Sequence, residues 1–458
     1  MQTSPLVMEK VLVGVLLAAF AAIVMWWRRP LLWPRTTFWT VYGASLIAMR
    51  AMPFVLFFVV FGTMRATGDV PEYYYPQAQS VLHNMLPIRD FPVHYGPLFP
   101  YVCALVVSVW NSPTAIVLFS ILMELASVFV WIVAAQECFE ETTVRKAALL
   151  YATSLLPIAN VGVSGQNQVW VSLFLAVSTY VLIKGRPALS GMFLGMSVIL
   201  VKILGGLFAP ILAGSCSRWG RWLGGFGVTV LGTYAVFVLL GANPLLPLLQ
   251  EAHMHSPGNI SFFLTIFGFS QDTLISKIVS YGIVGLLFAH VAMRLRTVHD
   301  SHDGNLLLFH SIAFMYLGFA LFSPKSYTYY AMICFFPICL SISSIMSNRA
   351  GLFPFALFGI LLVVEPNLWQ SWFLRHDFQG LFSLNLPNNV TPKGVVGFLV
   401  AEAVLLFLYC YYGMRIWRAV LAAQPQASTS VTIRHGDTGL AVLPLGQNEE
   451  WIEKTGSA

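Results

Sequence analysis

The sequence predicts an all-α, polytopic membrane protein of about 12–13 transmembrane helices. Of its 458 residues, 57% are hydrophobic and only 10% are charged. Apolar runs recur from residue 11 to residue 414, and most approach the ~20 residues that a helix needs to cross a hydrocarbon core of ~30 Å. This composition leaves no segment for a separate soluble domain of ordinary size.

The net charge of +6 indicates membrane topology rather than nucleic-acid binding. The Lys and Arg residues cluster in short loops between apolar runs, where basic residues set the orientation of the chain. The six cysteines lie mostly in or beside apolar runs and lack the paired spacing of metal ligands. We therefore expect no nucleic-acid partner, no disulfide, no metal and no cofactor.

Basic residues also fix the expected orientation. Arg28 and Arg29 place the first loop in the cytoplasm, so the span over residues 38–62 leads outward to a long first external loop, residues 63–96. The same rule predicts the sides of several later segments: inside, residues 184–186, residues 218–221 and the tail; outside, the loops 242–277 and 365–393. The sequence thus predicts a multi-pass protein of a bacterial plasma (inner) membrane whose site lies on the external, periplasmic face.

The first external loop is polar and aromatic, and we expect it to carry short interfacial helices. Asp69 follows Gly68 at a span exit, where a carboxylate can accept a proton from an incoming hydroxyl. The alternative is an ordinary turn aspartate. Asp90 stands beside Arg89 and just before Pro92, so a structural role for it is at least as well supported as a catalytic one.

Lys202 lies inside the apolar stretch 187–216, where an ionisable group costs several kcal/mol unless it faces a cavity, a partner or a ligand. A single straight helix would place one basic end outside. We therefore predict a hairpin of two short helices that turns near Lys202. A lipid phosphate is a suitable ligand for its ammonium, and the alternative is a pair with Glu124 or Glu402. For Glu124 a structural pair with Arg50 is favoured.

Further polar residues fall on the same predicted face. His253 and His255 form a His-x-His sequence that is a weak metal signal without nearby carboxylates, so we expect them to bind substrate or line the surface. Tyr95 belongs to a set of loop tyrosines that suits stacking on sugar rings, although aromatic residues also form the interfacial belt. Gln166 and Lys325 lie in external turns and complete the predicted set.

A set of motifs together resembles a known family. They are Gly68-Asp69 before a Tyr-rich helix, Leu86-Pro87-Ile88-Arg89-Asp90-Phe91, Tyr95-Gly96-Pro97-Leu98, Gly165-Gln166-Asn167, and Ser190-Gly191-Met192-Phe193-Leu194-Gly195 leading to Lys202. Over roughly residues 40–340 the chain resembles the GT-C superfamily of integral-membrane glycosyltransferases, closest to the polyprenyl-phosphate-sugar-dependent mannosyltransferases of family 87.

The resemblance implies a GT-C-like fold, with Asp69 as the catalytic aspartate and Lys202 as a contact of the lipid phosphate. Relatives often have a His where Tyr329 stands before Tyr330, so donor contacts at this position differ. The chain then divides into three parts: residues 1–37, an extra transmembrane helix and basic loop; residues 38–417, a GT-C-like catalytic domain; and residues 418–458, a disordered cytoplasmic tail.

The expected function is transfer of a hexose, mannose-like, from a polyprenyl-phosphate donor to a hydroxyl of a lipid or glycan acceptor, with inversion and without metal. Asp69 would be the general base. Lys202, with Arg89 or Lys325, would neutralise the departing phosphate. Expected partners are that donor, that acceptor and membrane lipids. The alternatives are a lipid-linked glycan ligase or polymerase, a transporter or flippase, and a non-catalytic lipid-binding subunit.

Two sequence features weigh against the first two of these alternatives. A ligase or polymerase would favour Arg-rich external loops to hold a diphosphate, and the external loops here contain few Arg residues. A transporter would show paired broken helices in two related halves, whereas the chain has one lysine hairpin and no evident repeat. A lipid-binding subunit would tolerate loss of Asp69.

Overall fold

The structure is a computed structural model that describes residues 30–62, 65–247, 256–265, 273–298, 302–345, 354–363 and 392–422, with Leu16, Ala19 and two short strands. The chain divides into two units, Met1–Ala422 and Ala423–Ala458. The second unit contains the strands Thr432–Ile433 and Ala441–Val442, which pair antiparallel. The rest of the predicted tail beyond Ala422, and all but two residues of the predicted N-terminal span 11–27, lie outside the described residues.

The first unit is built from α-helices joined by short turns. In chain order they are α1 Arg35–Val60, α2 Tyr75–Leu82, α3 Phe99–Val109, α4 Pro113–Gln136, α5 Glu141–Thr153, α6 Leu155–Val163, α7 Gln168–Ile183, α8 Pro187–Leu200, α9 Ile203–Gly214, α10 Trp219–Leu239, α11 Ile260–Thr265, α12 Leu274–Thr297, α13 His302–Phe322, α14 Phe335–Ile345, α15 Pro354–Val363 and α16 Pro392–Ala422. A 3-10 segment, Thr328–Ile333, lies between α13 and α14.

These helices confirm the prediction of an all-α, multi-pass integral membrane protein. Six of the described helices are long and apolar enough to cross a membrane, and α5 with α6 makes a seventh if that pair, bent by 48°, is one span. The other apolar helices have 10–17 residues. At ~1.5 Å per residue such helices are shorter than a ~30 Å hydrocarbon core. The predicted number of about 12–13 is therefore reached only when these shorter helices are counted as spans.

A buried ion pair joins three of these helices. The Arg50 guanidinium on α1 donates to both carboxylate oxygens of Glu124 on α4, with Nη2 2.8 Å from Oε1. The side chains of the two residues are 1% and 0% exposed. Tyr151 on α5 donates its hydroxyl to the same carboxylate at 3.2 Å. The predicted Arg50–Glu124 pair is thus present, and it is fully enclosed, as an ionised pair within a membrane requires.

The helices around the predicted lysine hairpin form one packed layer. Helix α7 packs against both α4 and α8, and α8 packs along α10. The start of α7 also packs against the 3-10 segment Thr328–Ile333. Before α3, residues 70–82 form a π-turn, Val70–Tyr74, that continues into α2, so the first predicted external loop does contain short helical segments.

The orientation of the chain can be tested by cysteine labelling in intact cells. Cys410 is the one exposed cysteine of the six, so its replacement by Ser gives a background of buried thiols. Glu72 and Arg186 are both exposed. We expect an impermeant maleimide to label a cysteine at Glu72 and to label one at Arg186 only after permeabilisation. Labelling of the Arg186 position alone in intact cells would reverse the predicted topology.

Candidate functional site

Lys202 lies at a break between two short helices. Helix α8 ends at Leu200, Lys202 is extended with φ −157° and ψ 142°, and the chain becomes helical again at Ile203. The Lys202 backbone N–H donates to the carbonyl of Ser197 at 3.0 Å. Gly205 packs so closely on Ser197 that a Cβ would overlap its hydroxyl. The chain therefore turns back on itself here, as the predicted hairpin requires.

The first external loop is hydrogen-bonded to this hairpin through its backbone. Gly96 N–H donates to the carbonyl of Val201, and Leu98 N–H donates to the carbonyl of Ile199, both at 2.9 Å. A Cβ at Gly96 would overlap the carbonyl oxygens of Val198 and Ile199, so this approach requires glycine. We call these two hydrogen bonds the loop–hairpin contact. They place Tyr95 beside Lys202.

Asp69 accepts hydrogen bonds from the same loop and from the turn before α7. Its Oδ2 lies 3.4 Å from the Tyr74 hydroxyl and 3.3 Å from the Tyr95 hydroxyl, and the Gln166 side chain also donates to the carboxylate. Gly68 precedes it with φ +65°, a left-handed conformation that favours glycine. The two hydroxyl distances exceed the usual ~2.7–2.8 Å, so these hydrogen bonds are weak. The carboxylate keeps acceptor capacity for a substrate hydroxyl.

Opposing forces act on the Asp69 carboxylate. Burial raises its pKa above the ordinary value, and this effect outweighs the Lys202 ammonium and the donors Tyr95, Tyr74 and Gln166, all of which lower the pKa. Burial also raises the pKa of Tyr74 and Tyr95 well above the usual value for a phenol. Both phenols are therefore protonated at neutral pH, and both can donate to Asp69.

Tyrosines form the other side of the site. The Lys202 ammonium donates to the Tyr330 hydroxyl at 3.0 Å and lies 5.4 Å from the centre of the Tyr95 ring. Tyr329 packs edge-on against Tyr330 and stacks on Tyr327, with ring centres 5.1 Å apart in both cases. The carboxylate of Asp69 contributes to the raised pKa of Tyr329, which places Tyr329 within electrostatic range of the carboxylate.

Arg89 and Asp90 form a separate pair. The Arg89 guanidinium donates to both Asp90 carboxylate oxygens, at 2.8 and 3.0 Å, and donates to the Leu240 carbonyl at 3.2 Å. Asp90 also accepts the Leu86 backbone N–H at 2.7 Å. The Arg89 guanidinium lowers the pKa of Asp90 to about 2. The described hydrogen bonds of the two residues hold a turn, and they do not include Asp69 or Lys202.

The remaining predicted residues are less closely tied to Asp69. Lys325 lies in a turn in which its backbone N–H donates to the Ser323 hydroxyl at 3.4 Å. The turn is anchored where Ser326 N–H donates to the Ser256 hydroxyl at 2.7 Å. His253 and His255 lie outside the described residues. Within the described ranges, no three His, Cys, Asp or Glu side chains come together as a potential metal site.

Glu124 and Glu402 were the alternative partners of Lys202. Glu124 is bound to Arg50, as described above. Glu402 on α16 accepts the Gly258 backbone N–H at 2.9 Å. The direct hydrogen bond described for the Lys202 ammonium goes instead to Tyr330.

The structure brings together five of the predicted residues: Asp69, Tyr95, Gln166, Lys202 and Tyr329. It adds two that the sequence did not single out for these roles. Tyr74 was one tyrosine of a possible stacking platform, and Tyr330 was only the neighbour of Tyr329. The signal for Tyr74 is its spacing from Asp69 across a single helical turn, whereas the Tyr330–Lys202 bond joins segments far apart in the chain.

A carboxylate and an ammonium held around buried tyrosines, at the ends of membrane helices, define a membrane protein with an acid–base site. The model of glycosyltransferase family 87 matches residues 94–324, which is half of the chain. The chain therefore belongs to glycosyltransferase family 87, and this membership supports a membrane glycosyltransferase. The matched segment includes Tyr95, Gln166 and Lys202, while Asp69 and Tyr329 lie on either side of it.

Solved structures give only distant similarities. The oligosaccharyltransferase of Archaeoglobus fulgidus in its apo form has a TM-score of 0.38 and 13% identity, over 86% of this chain and 56% of that one. The same enzyme tethered to an acceptor peptide has a TM-score of 0.33 and 14% identity, over 83% and 56%. This chain thus spans little more than half the length of that enzyme. No curated protein sequence matches it significantly.

The electrostatic link between Lys202 and Asp69 predicts a pH effect. If Asp69 acts as a base, glycosyl transfer falls as the pH drops through its pKa, and the Lys202 ammonium lowers that pKa. Lys202→Met should therefore move the acid limb of the kcat/KM profile to higher pH. Arg89→Met is the matched control and should leave the limb in place. An unmoved limb in Lys202→Met, or an equal shift in both variants, would contradict the link.

Proposed function

We propose that this protein transfers a hexose, mannose-like, from a polyprenyl-phosphate donor to a hydroxyl of a lipid or glycan acceptor at the external face of the membrane. One observation carries the proposal: the Asp69 carboxylate and the Lys202 ammonium are both held against Tyr95. Transfer from such a donor needs a base for the acceptor and a cation for the departing phosphate. Membership of glycosyltransferase family 87 supports the same reaction class.

Asp69 is the general base in this proposal. The acceptor oxygen forms a bond to the anomeric carbon as the bond from that carbon to the phosphate oxygen breaks, and the hydroxyl proton passes to Asp69. A single direct displacement inverts the anomeric configuration. The raised pKa of Asp69 makes it a stronger base than an exposed aspartate. Its weak hydrogen bonds to Tyr74 and Tyr95 leave it able to accept from the substrate.

Lys202 is the proposed partner of the phosphate. Its ammonium is the cation next to the base, and Tyr330 fixes its position through a 3.0 Å hydrogen bond. A polyprenyl phosphate is already a good leaving group, so neutralisation by an ammonium is sufficient, and the proposed reaction proceeds without a metal. The proposed donor contacts further include Tyr329, and Lys325 or Arg89 as a second cation. His253 and His255 are proposed substrate contacts on the loop before Ser256.

Asp69→Asn tests the proposed base. The amide keeps the size of the side chain but cannot take a proton at neutral pH, so transfer should fall by ~10²–10⁴-fold while donor binding is retained. The folded protein holds Asp69 with a raised pKa, so the ionised carboxylate disfavours folding above that pKa. The variant should therefore melt at the same or a higher temperature. Purified protein with a synthetic polyprenyl-phosphate sugar and EDTA serves for both measurements.

Asp90→Asn is the control for this experiment, because Asp90 belongs to the separate Arg89 pair. It should transfer sugar at close to the wild-type rate. Wild-type turnover in Asp69→Asn would place the base elsewhere. A lowered melting temperature in Asp69→Asn would show that the carboxylate is structural instead.

A further inference from the structure

Three consecutive amide side chains are buried with polar atoms that have no partner. Gln166, Asn167 and Gln168, here called the amide cluster, are 8%, 1% and 2% exposed. Among the described residues, both amide atoms of Asn167, both of Gln168 and the Oε1 of Gln166 make no hydrogen bond. Buried polar atoms in native proteins are nearly always paired. A concentration of unpaired amides in one short turn therefore indicates a polar ligand.

The chain holds this turn in place. Gly165 has φ +62°, and a Cβ there would lie 3.0 Å from side-chain carbons of Val117 and Val70. The Ser120 hydroxyl on α4 donates to the Gly165 carbonyl at 3.0 Å. The Gln166 backbone N–H donates to the Asn160 carbonyl at 2.9 Å. Because the backbone is fixed on both sides of Gly165, the amides cannot reach water by a simple movement of the turn.

The amide cluster is continuous with the proposed site. Gln166 donates to the Asp69 carboxylate, so the cluster begins at the proposed base. Helix α7, which starts at Gln168, packs against the segment Thr328–Ile333 that carries Tyr330. Thr328 on that segment, and Ser326 just before it, are 1% and 0% exposed, and their hydroxyls also make no hydrogen bond among the described residues.

The unpaired atoms match sugar hydroxyls better than a phosphate. A carboxamide offers an acceptor oxygen and a donor NH₂ group, and a hydroxyl can both donate and accept. A phosphate oxygen without a proton only accepts, so it would leave the three unpaired carbonyl oxygens of the cluster unsatisfied. Neighbouring hydroxyls on a pyranose ring can pair with both atoms of one amide.

We propose that the amide cluster binds the ring hydroxyls of a hexose next to Asp69 and so selects the sugar. The proposal rests on the proposed function and names a subsite for it. Two sugars have this chemistry: the hexose carried by the donor and a sugar of a glycan acceptor. The cluster reads hydroxyl positions, whereas Asp69 and Lys202 act on the bonds that form and break.

The test uses apolar replacements of similar shape, Asn167→Leu and Gln168→Met. Gln77→Met is the matched control, since Gln77 is a buried glutamine on α2 with an unpaired Oε1 outside the cluster. Replacing an unpaired buried amide by an apolar group is neutral or stabilising. Without ligand the two cluster variants should therefore melt at or above the wild-type temperature. Asn167→Ser, a smaller polar replacement, is used if Asn167→Leu does not fold.

Binding is then measured by the ligand-induced melting shift, which needs no turnover. One arm uses a short synthetic polyprenyl-phosphate mannose and its single-deoxy analogues, and the other uses methyl mannoside as a sugar without phosphate. The cluster variants should lose about tenfold in affinity in at least one arm. In the donor arm they should also stop distinguishing one deoxy analogue from the parent sugar. Gln77→Met should behave as wild type.

The two arms separate the outcomes. A loss confined to the donor arm assigns the cluster to the transferred hexose, and a loss confined to methyl mannoside assigns it to an acceptor sugar. Wild-type affinities and wild-type deoxy discrimination in both cluster variants would overturn the inference. Failure of the wild-type protein itself to bind the polyprenyl-phosphate mannose would instead contradict the proposed function.

Discussion

The loop–hairpin contact is the interaction on which the site depends. Two backbone hydrogen bonds, from Gly96 to Val201 and from Leu98 to Ile199, attach the first external loop to the break that carries Lys202. Asp69 and Lys202 are more than a hundred positions apart in the sequence, and Tyr95 contacts both only because of this attachment. The hydrogen bonds also satisfy carbonyl groups at the end of α8, which the helix itself leaves unpaired.

Two pairs of opposite charges in this protein show how burial separates structure from chemistry. Arg50 and Glu124 are enclosed and joined by short hydrogen bonds, so neither group is available to a substrate. Asp69 is half-buried, has only long hydrogen bonds from Tyr74 and Tyr95, and keeps a raised pKa despite Lys202. A carboxylate that is only partly satisfied disfavours folding and is for the same reason a better base.

The sequence was sufficient for features that follow from local physical rules. Hydropathy predicted the all-helical membrane fold, and the expense of burying charge predicted both the Arg50–Glu124 pair and the break at Lys202. The number of full spans was less accessible, because α3, α7, α8, α9, α14 and α15 are apolar but too short to cross alone. Hydropathy does not distinguish a short apolar helix packed among others from a complete span.

The long-range parts of the site could not be predicted. Nothing in the sequence near Tyr330 indicates its bond to Lys202, which joins residues 128 positions apart. Arg89 and Asp90 seemed equally suited to the site and to a turn, and the contact of Arg89 with Leu240 shows the turn. The amides at 166–168 were expected only as an external turn, since burial of their side chains depends on α4 and on the segment before α2.

The loop–hairpin contact can be tested directly by comparing turnover of Gly96→Ala with that of Gly43→Ala. A Cβ at Gly96 would overlap two carbonyl oxygens of the hairpin, whereas a Cβ at Gly43 on α1 meets nothing within 4 Å. Gly96→Ala should lose most of its sugar-transfer rate, because the added methyl group separates Asp69 from Lys202, while Gly43→Ala should retain it. Wild-type turnover in Gly96→Ala would show that the site does not depend on this contact.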